Sequence, residues 1–132
     1  MLLEEGKMAV GLSDQLETLL RQAQGSIAGL EATALVSMDG LIIVSALPPD
    51  IEEDRIAAMT AAMLGLGERT AYDLGRGMLD QIYIKGPNGY VLIMAAGDNA
   101  VLTAIAGPEA KLGLLLLYLR KTVEQIGDLL QG

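Results

Sequence analysis

Val91 to Ala96 reads Val-Leu-Ile-Met-Ala-Ala, with no polar residue at any position. A strand with one face in water alternates apolar and polar side chains, so a run that is apolar throughout must be covered on both faces. That single requirement selects a layered fold with a sheet between helices.

The rest of the chain supplies those layers. Leu12, Leu16, Leu19, Leu20 and Ala23 recur at helical spacing behind Ser13, a suitable N-cap, and Gly25 ends the segment. Ala32 to Met38 and Leu41 to Ala46 are short β-type runs around Asp39-Gly40, a hairpin pair expected to hold both turn positions at positive φ. Pro48-Pro49 stops the second run. From Ile51 to Gly75 the period is helical again, with Glu52, Glu53 and Asp54 in the first turn, where the helix dipole favours anions. Leu79 to Lys85 alternates, with Ile82 and Ile84 on one side and Gln81, Tyr83 and Lys85 on the other, which suits a sheet edge. Tyr90 to Ala96 follows the turn Gly86-Pro87-Asn88-Gly89, and Ala100 to Ala106 follows Gly97-Asp98-Asn99. Pro108 suits the start of a closing helix with Leu112, Leu115, Leu116, Leu119, Val123, Ile126 and Leu130 on one face. The order α-β-β-α-β-β-β-α predicts an α+β fold: a five-stranded antiparallel sheet, its last three strands a meander, with helices on both faces. One domain is expected over residues 13–131, behind a loosely held tail at 1–12.

The second helix has two unlike faces. Steps of about 100° per residue gather Ile56, Met59, Met63, Leu66 and Leu74, with Thr60, Gly67 and Thr70 among them, on an arc expected to lie on the sheet. The opposite arc holds Ala57, Ala58, Ala61, Ala62 and Gly65, then Glu68, Arg69, Tyr72 and Arg76. Alanines chosen for helix propensity would explain the small residues. A two-fold contact between two copies explains them better, because small side chains let helix backbones approach closely. The adjoining edge strand, through Gln81 and Tyr83, can pair with its own mate across the same axis. The polar end of the helix is a candidate docking surface: Tyr72 and Arg76 stand at i,i+4, and Tyr and Arg are favoured at contact hot spots. A solvated helix end with an Arg69–Asp73 pair is the plainer reading.

Composition narrows the chemistry. The 132 residues include no His and no Cys, and 17 acidic against 9 basic side chains give a net charge of −8. Disulfides, thiolate chemistry, His-based triads and the usual zinc and haem ligands are thereby excluded. The negative charge opposes nucleic acid and anionic membrane surfaces. The most apolar segment, Leu112 to Leu119, is fenced by Lys111 and Arg120 and is far shorter than the roughly 20 residues of a membrane span, and acids stand where a signal peptide carries basic residues. The expectation is a cytoplasmic protein without membrane insertion. Gly65-Leu-Gly-Glu-Arg-Thr70 lacks the third glycine of a dinucleotide fingerprint and lies inside a helix, and no phosphate loop is present. Consecutive acids such as Glu52, Glu53 and Asp54 point in different directions and do not converge on a metal. Ser13, Ser26, Ser37 and Ser45 have no histidine base. Met59, Met63 and Met94 read as adaptable core filler. No enzyme activity, cofactor or metal is expected.

Several segments together resemble the Roadblock family, which includes dynein light chain Roadblock and the partners of small motility GTPases. They are Val36-Ser-Met-Asp-Gly-Leu41, Ala57-Ala-Met-Thr-Ala-Ala62, Leu66-Gly-Glu-Arg69, Gly75-Arg-Gly77, Gly89-Tyr-Val-Leu92 and Ala110-Lys-Leu-Gly-Leu-Leu115. The resemblance implies a profilin-like sandwich and a homodimer, in which the second helices pack together and the third strands join into one sheet. It implies dimer contacts at Ala57, Ala61 and Gly65, and a docking surface at Glu68, Arg69, Tyr72 and Arg76. It implies a non-enzymatic module that binds and regulates or scaffolds a small Ras-like GTPase. The alternative is a structural adaptor without effect on GTP turnover. A small-molecule sensor is the third class.

Overall fold

The structure, a computed structural model, describes residues 2–131, with side chains described from residue 11. The elements follow the expected order: α1 (Leu2–Ser26), β1 (Leu30–Ser37), β2 (Ile42–Ala46), α2 (Glu53–Asp73), β3 (Gln81–Gly86), β4 (Gly89–Ala95), β5 (Ala100–Ala106) and α3 (Leu112–Gln131). The strands form one antiparallel sheet in the order β2-β1-β5-β4-β3. The last three strands are the expected meander, and β3 is an edge strand.

Two cores flank the sheet. On one side Leu16, Leu20, Leu115, Leu119 and Ile126 of α1 and α3 pack on Leu35, Leu92, Met94 and Leu102. On the other side Ile56 and Ala57 of α2 pack on Val36, Ile93 and Val101. β4 alternates between them, Leu92 and Met94 toward the first core and Ile93 toward the second, which is why its sequence is apolar throughout. The two-layer requirement read from Val91 to Ala96 is therefore met by α1 and α3 on one face and α2 on the other.

Several local readings change. Helix α1 is continuous from Leu2, so Ser13 lies inside it rather than at its cap. The proposed tail, residues 1–12, falls largely on positions whose side chains lie outside the described residues. The turns use positive φ at glycine alone: Gly40 has φ 82° and Gly89 has φ 137°, whereas Asp39 and Asn88 have negative φ. Gly40 N–H donates to Ser37 O at 3.0 Å, and Ser37 N–H to Leu41 O at 2.8 Å. This is a turn closed by a left-handed glycine, a wider loop than a two-residue Asp-Gly hairpin. Gly86 pairs with Gly89, so Pro87 and Asn88 take the corners of the second hairpin. Pro108 likewise sits in a turn closed by Ala110 N–H to Gly107 O at 3.1 Å, and α3 starts only at Leu112. Leu130 and Leu12, expected on buried helix faces, are exposed at the helix margins.

Candidate functional site

The helix on the single-helix side of the sheet sets up the site. Ile56, Ala57 and Thr60 are its buried residues, and Ala61, Met63, Leu64 and Gly67 are half-buried behind them. Ala57 is only 2% exposed. The helix therefore turns a face rich in small residues to the sheet, with Ile56, Met63 and Leu64 as the larger exceptions. A Cβ on Gly67 would meet Ile82 Cδ1 at 3.0 Å, and one on Gly40 would meet Ala61 Cβ at 3.1 Å, so this approach is close on both sides of the helix. Thr60 and Thr103 share a buried hydrogen bond at 2.7 Å across it.

This orientation corrects the arc drawn from the sequence. Met59, Leu66, Thr70 and Leu74, expected on the sheet, are exposed. The first half of α2 is apolar nearly all round, so periodicity alone gave no unique inward direction. The sheet face beneath is already filled by Val36, Ile93 and Val101, which favours the small residues against it. Of the proposed dimer contacts, Ala57 faces the sheet within its own chain, and Ala61 is half-buried beside Gly40. Ala58, Ala62 and Gly65 are exposed, and with Met59, Leu66 and Arg69 they form an outward stripe. Leu66 is 69% exposed.

Beside this stripe the sheet is bare. β3 pairs with β4 alone, leaving its outer edge without a strand. Tyr83 and Gln81 stand opposite Leu92 and Met94, so they point to the α1/α3 side, Tyr83 exposed and Gln81 half-buried. Gln81 Oε1 is buried with no hydrogen-bond partner, the one such side-chain atom among the described residues. Ile84 stands opposite Val91 and points to the α2 side, where it is exposed; Val91 and Ile105, paired across β4 and β5, are half-buried. The floor formed by Ile84, Val91 and Ile105 continues the exposed apolar surface of α2 toward the sheet edge.

The C-terminal end of α2 carries the docking residues. Arg76 N–H donates to Ala71 O at 2.7 Å and Gly75 N–H to Tyr72 O at 3.0 Å, with Gly75 at φ 67°, a paired closure of the last turn. Arg76 thus lies beyond the helix, and its Nε donates to Leu74 O at 3.0 Å. A stack of Arg76 on Tyr72, which i,i+4 spacing on one helix would allow, is not among the contacts of the described residues, because the helix stops before the second partner. Arg69 Nε lies 3.6 Å from Asp73, the plainer pairing. Glu68, Arg69, Tyr72 and Arg76 are all exposed, and Glu68 and Tyr72 flank a groove closed by Gly77, Met78 and Leu79. Tyr72 is 81% and Met78 97% exposed.

Met78, Leu74 and Ile84 were not singled out from the sequence as surface residues. Met59, Met38 and Met78 also show that the methionines are divided between core and surface, with Met94 buried and these three exposed. The available signal was Met78 itself, placed between Gly75-Arg-Gly77 and a strand, where no helical or strand period assigns it to a core.

Two of the serines weighed from the sequence have hydrogen-bond partners. Ser45 Oγ donates to the Glu53 carboxylate at 2.7 Å, tying β2 to the start of α2, and Ser37 Oγ accepts from Leu41 N–H at 3.1 Å within a turn. No group of three metal-ligating side chains occurs among the described residues. No helix among them is long and apolar enough to cross a membrane.

Comparison with known proteins places this architecture. Residues 16–106 match the model of the Roadblock/LC7 domain. The chain is 34% identical over 98 residues to Methanocaldococcus jannaschii protein MJ1340, covering 74% of this chain and 85% of that protein. It superposes on the Roadblock/LC7 domain from Streptomyces avermitilis with a TM-score of 0.82 at 23% identity, covering 88% of this chain and 98% of that one. It superposes on Myxococcus xanthus MglB with a TM-score of 0.84 at 18% identity, covering 90% of each chain. The chain belongs to the Roadblock/LC7 domain family.

Proposed function

We propose that the protein is a cytoplasmic, non-enzymatic homodimer that binds a small Ras-like GTPase and regulates or scaffolds it. The observation that carries the dimer is the adjacency of three unpartnered features: the outward stripe of α2, the open edge of β3 and the apolar floor of Ile84, Val91 and Ile105. One two-fold axis at the β3 edge answers all three. Backbone pairing of β3 with its mate extends the sheet, and the mate's α2 then lies over the floor beside this chain's stripe. Ala58, Ala62 and Gly65 are the helix contacts in this arrangement. Ala57 and Ala61 support the helix from beneath, and Gln81 and Tyr83 flank the strand pairing.

Membership of the Roadblock/LC7 family and the likeness to MglB support a GTPase partner. Glu68, Arg69, Tyr72 and Arg76 are the residues offered to it, on the same side of the molecule as the dimer contacts. The test is sedimentation of the purified chain, followed by capture from native extract with a GTPase loaded with GDP or a GTP analogue. A dimer that retains a GTPase in one nucleotide state supports the reading. A monomer refutes the dimer, and absence of any GTPase in both states refutes the partner. Unchanged GTP turnover with a captured GTPase favours the adaptor role.

A further inference from the structure

We propose that the groove between the C-terminal half of α2 and residues 77–80 receives a cationic side chain borne on an apolar segment of a partner protein. This rests on the reading of the chain as a protein-binding module and names the chemistry of one of its contacts. A cavity of about 190 Å³ lies here, walled by Leu64, Met78, Leu79, Ile93 and Val101. That volume is roughly six times the ~30 Å³ share of one water molecule, enough for a long side chain. Glu68, Asp80 and Asp98 are the charged residues that line the same cavity, and no basic residue lines it. Asp80 has Arg120 at 3.8 Å, but neither Glu68 nor Asp98 has an ion-pair partner among the described residues.

Apolar walls and unpaired carboxylates together select a ligand. An anion is repelled by the lining and by the chain's net charge of −8. A purely apolar group gains burial but leaves the carboxylates without a counter-charge. Lysine or arginine satisfies both, laying its aliphatic stem on Leu64 and Leu79 and its head among the carboxylates. The groove opens past Tyr72 and Met78. An exposed tyrosine ring is a surface for a cation, and an exposed methionine adapts to apolar neighbours of varied shape.

The test is a titration of the ¹⁵N-labelled full chain with three capped tripeptides: leucyl-arginyl-leucine, leucyl-glutaminyl-leucine and leucyl-glutamyl-leucine. The arginine peptide should shift the amides of Glu68, Met78, Leu79 and Asp98 saturably, and the glutamine peptide should bind roughly five-fold more weakly. The preference should fade near 1 M salt, where the Debye length is about 3 Å. It should also disappear in the double variant E68Q/D98N, whose two exposed sites leave the fold intact, as checked by its unchanged spectrum elsewhere. Equal binding of the arginine and glutamine peptides, preference for the glutamate peptide, shifts elsewhere, or no saturable shift would each overturn the proposal. The titration contains no GTPase, so its failure leaves the capture experiment standing, and failure of that capture leaves the groove standing.

Discussion

Thr60 and Thr103 meet hydroxyl to hydroxyl at 2.7 Å, both buried, one on α2 and the other on β5. Among the described residues it is the one buried side-chain hydrogen bond between this helix and the sheet beneath it; the other, from Ser45 Oγ to Glu53, is exposed. Thr60→Val should leave the Thr103 hydroxyl buried and unpaired, at a cost of about 1–3 kcal/mol. Thr103→Val should cost about the same. The double substitution should cost clearly less than the sum, because no orphan remains. Denaturant unfolding of the four proteins checks this, and additive losses would show that the pair does not act as a unit.

The rotation of α2 separates Ala57 and Ala62, about 1.4 turns apart. Ala62→Arg projects from the outward stripe and should weaken self-association while leaving the fold intact, measured by sedimentation and circular dichroism. Ala57→Arg forces a charge against Ile93 and Val101 and should destabilise the fold by more than about 3 kcal/mol. A variant at position 62 that remains an unchanged dimer would remove the stripe from the interface.

Gln81 holds an acceptor that its own chain does not satisfy. Gln81→Met keeps the length of the side chain and removes the orphan, so the folded state should gain about 1 kcal/mol, read as a raised unfolding midpoint. A loss of stability would mean that the amide is satisfied in solution.

Gly89 opens β4 at φ 137°, and a Cβ there would collide with the carbonyl oxygen of Ala106 on β5. Gly89→Ala should destabilise by roughly 1–3 kcal/mol through strain alone, and more if the strands must separate. Gly65→Ala, in a helix with nothing near its Cβ position, should instead stabilise an isolated chain slightly, by about 0.5–1 kcal/mol. Thermal melts of the two variants should therefore move in opposite directions, and a shared direction would contradict these backbone assignments.

The layer order was legible because Val91 to Ala96 and the alternation of Leu79 to Lys85 are signals of period two, which fix both burial and edge position. The ends of elements were less legible. Asp39-Gly40 and Asn88-Gly89 announce turns, but the pairing register decides which residues stand at the corners, and that is set by Val36 against Ile42 and Gly86 against Gly89. The site was legible as a helix with an unusual flank and not as a direction. Ala57 and Ala58 are alike in sequence, and only the packed neighbours Val101 and Ile93 decide that the first turns inward. Arg76 was placed on the helix because nothing local weakens the period before Gly75; the closing hydrogen bonds of Gly75 and Arg76 end it earlier.

β5 lies in the middle of the sheet although it is the last strand in the chain, with Leu30 of β1 paired to Ala106 on one side and Tyr90 of β4 paired to the same residue on the other. Before β5 arrives, the hairpins β1–β2 and β3–β4 share no ladder. Chain order and spatial order therefore conflict, and a nascent chain released before residue 100 carries two separate hairpins with four raw edges. Assembly is thus an all-or-none event late in synthesis, governed by closure of long loops rather than by the speed of any helix.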